Sequence, residues 1–467
     1  MEQRTKRDLA LHNLVSEFEG SMEKGNIKYL DVKAFGQLID YYENGNEIIK
    51  AINVAKEALK QFKYRAEFYI SISHLLLKSE EVEQCLSYLD KAESIAPYEN
   101  EIILLKAKAY TAAGHYTNAF DCLETVAAYA SEEDQVEMHL CEADIYNVMN
   151  DYDEMYKALT KAVDLDPHNQ EALEKLWTAT ELSKKYIHSV TFHENLINSD
   201  PYNHLAWFNL GHARAYEGEY KNAAECIEYS FIINPSFEEG YMDCADLYCQ
   251  IKAYDKALAV YEEALEVFGV DSDLLTNIAE CQLHLGKYAQ AKHNLYQAVR
   301  LEQHSDEVYF LLGEVYAKQR KWYSAINAYH KAVEIEDGCE DYYLGLARAY
   351  IAVEEYNKAT INFQLAVSLG PELTKYWQEF SSFLIKMGLY NEAIQVLDEA
   401  EEFTFGADLL YVRALANFFN KNKQEGLSNL EEALTEDFNL HRILFALAPE
   451  LEVDVEINSM ITYFQGE

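Results

Sequence analysis

An aromatic residue returns every 34 positions through more than half of the chain. Tyr152, Tyr186, Tyr220, Tyr254, Tyr288, Trp322, Tyr356 and Tyr390 are each 34 residues from the next. The prolines keep the same interval: Pro167, Pro201 and Pro235 are 34 apart, and Pro371 lies four periods beyond Pro235. A fixed period of this length marks an array of two-helix units, each packed only on its neighbours. Such a core grows lengthwise, so 467 residues need not divide into several globular domains.

Composition agrees with one continuous array. The chain has 18 glycines and 6 prolines, and no Gly/Ser-rich or Pro-rich stretch interrupts the period. The formal net charge is −41, a field that repels phosphate backbones and anionic lipid. Neither nucleic acid nor a membrane is therefore expected as a partner. A charged N-terminal stretch, Met1 to Arg7, is followed by mixed polar residues, so no signal peptide is expected. No run of 18 apolar residues is present. The eight cysteines are scattered, without a CxxC pair. They read as reduced thiols in a cytoplasmic protein.

The stretch from His204 to Phe237 shows how one unit is built. It reads as two amphipathic helices, about 204–217 and 221–233. Gly218 stops the first, because it can take a left-handed backbone conformation. Pro235 follows the second, which it cannot continue. Gly211 and Ala223 are small where two helix backbones approach, and the Tyr220 ring can cover the end of the first helix.

Trp207, Leu210, Gly211, Tyr220, Ala223 and Pro235 together resemble the tetratricopeptide repeat. Arg214 stands where that family usually has Tyr. The layout also resembles bacterial members of the family, those of the Bacteroidetes in particular. The resemblance implies an all-α, right-handed superhelical solenoid of helix-turn-helix units with a concave groove. It also implies protein or peptide binding without catalysis.

Stepping by 34 gives about twelve units, and the expected organisation is an N-terminal capping helix (1–31), a solenoid (32–440) and C-terminal capping helices (441–467). Leu11, Leu14, Val15 and Phe18 form the apolar stripe of the first cap. Two phase slips occur. Tyr116 to Tyr152 is 36 residues, which predicts a lengthened loop around Ser131–Asp134. The last unit arrives one residue early. The unit from Gln170 to Asn203 is the weakest, with Trp177 and Ser189 at places that favour small residues, and predicts a distorted repeat.

No chemistry-bearing motif is present. His193-Glu194 begins an HExxH, but Ile197 stands where the second His is required. Asp164–Asn169 is rich in oxygen ligands but lacks the Gly and terminal Glu of a calcium loop. There is no Walker loop, G-x-S-x-G or G-x-G-x-x-G. The expectation is a non-enzyme without a metal or other cofactor.

The surface is the better guide. The second position of most units is acidic (Glu67, Glu101, Glu137, Glu171, Glu239, Asp273, Glu307, Asp341 and Asp408). An acid there suits a helix N-terminus on its own account. The ninth position is mid-helix and reads His212, Asp246, Glu280, Glu314, then Arg348. Asp246, Glu280 and Glu314, with Asp243 one turn before Asp246, predict a negative stripe. Phe208, Met242 and Phe310 occupy fifth positions beside it. The Lys and Asn of the family's carboxylate clamp are missing from these places, so an acidic C-terminal tail is not the expected ligand. The expected function is a scaffold in a bacterial cytoplasm, binding a protein or peptide in the groove through a basic segment. The alternative is a self-assembling structural solenoid. The sequence fixes neither the partner's identity nor the oligomeric state.

Overall fold

The structure is a computed structural model describing residues 2–23 and 28–465. Met1, residues 24–27 and residues 466–467, which belong to the caps expected at 1–31 and 441–467, lie outside the described residues. The described residues form α-helices and short 3-10 turns, with no strand. Contacts separate the chain into two compact units, 1–240 and 241–467.

The first unit opens with α1 (Glu2–Glu23). Helix pairs follow: α2/α3 (Val32–Asn44, Ile48–Gln61), α4/α5 (Ala66–Lys78, Val82–Ile95), α6/α7 (Asn100–Ala112, Tyr116–Ala127), α8/α9 (Glu132–Val148, Tyr152–Leu165), α10/α11 (Gln170–Ser183, Tyr186–Ser199) and α12/α13 (His204–Tyr216, Tyr220–Ile233). Helix α14 (Glu238–Gln250) spans the dividing point and pairs with α15 (Tyr254–Phe268). The second unit continues with α16/α17 (Ser272–His284, Tyr288–Leu301), α18/α19 (Asp306–Lys318, Trp322–Ile335), α20/α21 (Glu340–Ala352, Tyr356–Leu369), α22/α23 (Thr374–Lys386, Tyr390–Ala400) and α24/α25 (Ala407–Phe419, Lys423–Glu436). It ends with α26 (Arg442–Leu447) and α27 (Val455–Gln465). The twelve pairs are those the 34-residue period implies.

One residue in every pair turns the chain between its helices in the left-handed conformation. Gly218 does so at φ +82°, as its sequence position predicts. Eight of the twelve places are not glycine, however: Asn46, Glu80, Asn150, Lys184, Lys252, Arg320, Glu354 and Lys421. A side chain there costs about 1–2 kcal/mol, which the turn's hydrogen bonds offset. The residue after each left-handed position sends its N–H back to a carbonyl five residues earlier, as Glu219 does to Arg214 (3.0 Å) and Lys321 to Tyr316 (2.8 Å). This bond satisfies a carbonyl that the helix end leaves open.

Close packing within a pair needs small residues. A Cβ on Gly211 would lie 2.3 Å from Cγ1 of Ile227 and 3.0 Å from the Ala223 carbonyl oxygen. The joins between pairs are pinned by the recurring proline and tryptophan. Trp207 Nε1 donates to the Pro201 carbonyl (2.9 Å), and Trp377 Nε1 to that of Pro371 (2.8 Å).

The two extra residues near Ser131 do not lengthen a loop. Helix α8 instead has 17 residues, starting at Glu132. Ser131 Oγ accepts from the Asp134 N–H (3.2 Å), and Asp134 accepts from the Ser131 N–H (3.1 Å). This reciprocal cap satisfies open donors at the helix start, so the insertion becomes helical. Glu137 consequently sits beyond the first turn and pairs with Lys108.

The fifth pair is distorted as expected. Helices α10 and α11 are splayed compared with the other described pairs. Ser189 and His193 are fully buried there. His193 Nδ1 lies 2.8 Å from the Ser189 carbonyl oxygen, and Asn209 Nδ2 lies 3.4 Å from His193 Nε2. A polar network thus occupies space that the other pairs fill with apolar side chains.

Candidate partner-binding face

The first helices of consecutive pairs come close to one another: α4 with α6 and α10 with α12 in the first unit, α16 with α18 and α18 with α20 in the second. Among the described pairs, consecutive second helices stand farther apart. Closer spacing on one side makes the first-helix side the inner face of each unit.

Along most of this face, acids meet bases on a neighbouring repeat. Lys78 pairs with Glu43 (2.6 Å), Lys175 with Asp144 (2.6 Å) and Lys375 with Asp341 (2.6 Å). Arg348 grips Glu379 with two nitrogens, its Nε at 2.8 Å.

Helices α14, α16 and α18 differ. From Tyr241 onward they carry Asp243, Asp246, Asp273, Glu280, Asp306, Glu307 and Glu314, and their only lysine or arginine is Lys318. Asp246 and Glu314 are bonded not to bases but to tyrosines fifteen residues on. The hydroxyl of Tyr261 donates to Asp246, and that of Tyr329 donates to Glu314 (2.5 Å). Both rings are buried core residues of the second helix in their pair. Their hydroxyls reach through the repeat to the inner face and supply a hydrogen bond without neutralising charge. The corresponding residue for Glu280 is Leu295, which has no hydroxyl. Exposed Glu280 has His284 Nε2 at 3.9 Å.

These carboxylates feel one another. Displacement of water by surrounding protein is the largest influence holding Asp246 above the usual carboxylate range; the Tyr261 hydroxyl opposes it and Asp243 adds to it. Glu307 is raised first by burial, then by Glu280, Asp306 and Asp273. The stripe ends where Arg348 takes the next ninth position, near Glu314.

The apolar candidates are distributed differently. Phe208 belongs to the first unit, where its ring packs against His212 and Phe237 at centroid distances of 4.4 and 4.9 Å. The other six candidates belong to the second unit. Met242 is half-buried on α14. Phe310 is half-buried beside Tyr329 (5.8 Å) and Tyr342 (5.0 Å). Tyr329 thereby joins Phe310 and Glu314 in one cluster.

Family models match residues 142–169 and 245–307, both described as tetratricopeptide repeat. The chain carries tetratricopeptide repeats. The second match covers α16 and reaches the start of α18, so it contains Asp246 and Glu280, while Asp243 and Glu314 lie just outside it. The chain is 23% identical over 364 residues to the TPR repeat-containing protein YpiA of Bacillus subtilis, covering 78% of this chain and 85% of that one. It is 23% identical over 276 residues to Hsp70-Hsp90 organizing protein 3 of Arabidopsis thaliana, covering 56% of this chain but only 45% of the relative. A solved tetratricopeptide repeat protein from Parabacteroides merdae is similar at a TM-score of 0.42 and 16% identity, over 52% of this chain and 98% of that one.

Sequence position alone pointed to the acids of the tetratricopeptide units but missed their tyrosine partners. The recurring fifteen-residue separation was available as a signal. Among the described residues, no helix is long and apolar enough to cross a membrane.

Proposed function

We propose that the inner face of α14, α16 and α18 is a non-catalytic docking groove for a basic, amphipathic segment of a partner protein. One observation carries this reading: Asp246 and Glu314 are bonded to tyrosine hydroxyls rather than to bases, on helices whose only lysine or arginine is Lys318, where other repeats pair first-helix acids with bases. Tyr261 and Tyr329 hold Asp246 and Glu314 in place while leaving their charge available. An approaching Lys or Arg would relieve the repulsion among the carboxylates. Met242 and Phe310 offer apolar contact at the same level of the repeats. The name of the Arabidopsis relative, an Hsp70-Hsp90 organizing protein, describes association with other proteins, which fits a scaffold role.

The test uses a synthetic Lys-rich amphipathic peptide and the full chain, compared with the variant Asp246→Asn/Glu280→Gln/Glu314→Gln. These substitutions keep side-chain shape and remove charge. Binding to the unaltered chain is expected to weaken as salt rises from about 0.05 to 0.3 M. The triple variant is expected to bind roughly tenfold more weakly, with a flatter salt dependence. Equal affinity and equal salt dependence would leave the stripe as a solvated surface.

A further inference from the structure

Two cysteines meet inside the acidic stretch. Cys249 lies near the end of α14 and Cys281 lies in α16, with their Sγ atoms 3.6 Å apart. Both are free thiols. Cys281 is fully buried, and Cys249 is partly exposed. The pair therefore has one sulfur that a small oxidant can reach and a second sulfur in contact behind it. Reactive and resolving thiols need this arrangement.

We propose that Cys249 and Cys281 form a modification site, oxidised by a peroxide to a disulfide that joins the first helices of the seventh and eighth repeats. Cys249, as the thiolate, attacks one peroxide oxygen. The O–O bond breaks, and the departing hydroxide takes up the proton released by the thiol to become water. Cys249 is left as a sulfenic acid. The Cys281 thiol then loses its proton and attacks the Cys249 sulfur, breaking the S–O bond and releasing a second water. Two thiols and one hydrogen peroxide become one disulfide and two waters. Each sulfur gives up one electron, and the peroxide accepts two. The hydrogen bond with Cys281 is the main influence holding the Cys249 thiol below its ordinary range, against burial and the nearby Glu280 and Asp246 carboxylates.

The sulfurs must approach by about 1.5 Å to reach bonding distance. Each repeat contacts only its neighbours, so this approach involves the packing of α14 on α16 alone. Asp246 lies one turn before Cys249, and Glu280 precedes Cys281. The disulfide would therefore fix the spacing of two acids in the proposed groove. That consequence rests on the docking reading; the cross-link does not.

The experiment treats the reduced full-length chain with equimolar hydrogen peroxide, blocks remaining thiols by alkylation and maps the digest by mass spectrometry without reduction. The expected product is a cross-linked peptide pair containing Cys249 and Cys281, with two of the eight thiols lost and both regained on adding dithiothreitol. In Cys281→Ser, which lacks the resolving sulfur, dimedone is expected to label Cys249. Recovery of both cysteines as alkylated thiols after the peroxide is consumed would overturn the proposal. So would dimedone labelling of other cysteines with none on Cys249. The mapping involves no partner, so its failure and that of the docking reading are separate results.

Discussion

The Tyr329 hydroxyl donates a 2.5 Å hydrogen bond to the Glu314 carboxylate, although Tyr329 belongs to the core and Glu314 to the inner face. The ring fills the space left by two glycines. A Cβ on Gly313 would come within 2.4 Å of it, and one on Gly345 within 2.8 Å. A single side chain thus sets the distance between two first helices and holds a surface acid.

Replacing Tyr329 with Phe keeps the ring and removes the bond. A hydrogen bond to a charged group contributes about 1.5–3 kcal/mol. Amide exchange in α18 and α19 should accelerate by a corresponding amount, while more distant repeats stay unchanged. Unaltered exchange in these helices would mean that water replaces the hydroxyl at no cost.

Ala325 is fully buried in α19. Glu at this position would place a charge without a partner in a helix contact, costing several kcal/mol, on the order of 3–5. Because each repeat is stabilised by its neighbours, protection should fall first in α18 to α21. Uniform loss along the chain, or none, would contradict this.

Truncation after Asn439 tests the C-terminal end. Tyr411 and Leu415 are fully buried, in one core cluster with Leu444, Ala448, Ile457 and Ile461. Helix α26 packs on α24, and α27 on α25. Removing them uncovers an apolar face that should drive aggregation. Light scattering that shows a stable monomer would instead mean that this face tolerates water.

His193 gives the first unit a pH dependence. Burial pushes its imidazole down to about 4, against the Ser189 backbone hydrogen bond. The unfolded chain binds a proton near pH 6.5 and the folded chain does not. Stability is therefore fully present above about pH 6.5 and is lost as pH falls towards 4, by up to about 3 kcal/mol. Protection in α10 to α12 should decline across this window, and His193→Gln should flatten the decline. An equal slope in the variant would assign the effect to other groups.

The sequence by itself determined the twelve helix pairs, because period, turn position and small contact residues are local, repeating requirements. It also contained the Ser131–Asp134 cap, whose spacing signals a helix start, and the two extra residues therefore extend a helix rather than a loop. What only the tertiary structure decided is the state of each surface group. Asp246, Glu280 and Glu314 share one repeat position, yet two meet a tyrosine hydroxyl, while the third has Leu295, without a hydroxyl, fifteen residues on. Cys249 and Cys281 are 32 residues apart, short of the period, and meet because adjacent helices pack with an offset. Hydrogen bonds and thiol contacts depend on separations of a few tenths of an ångström. A repeat pattern places residues on a face, but packing between helices sets those last distances.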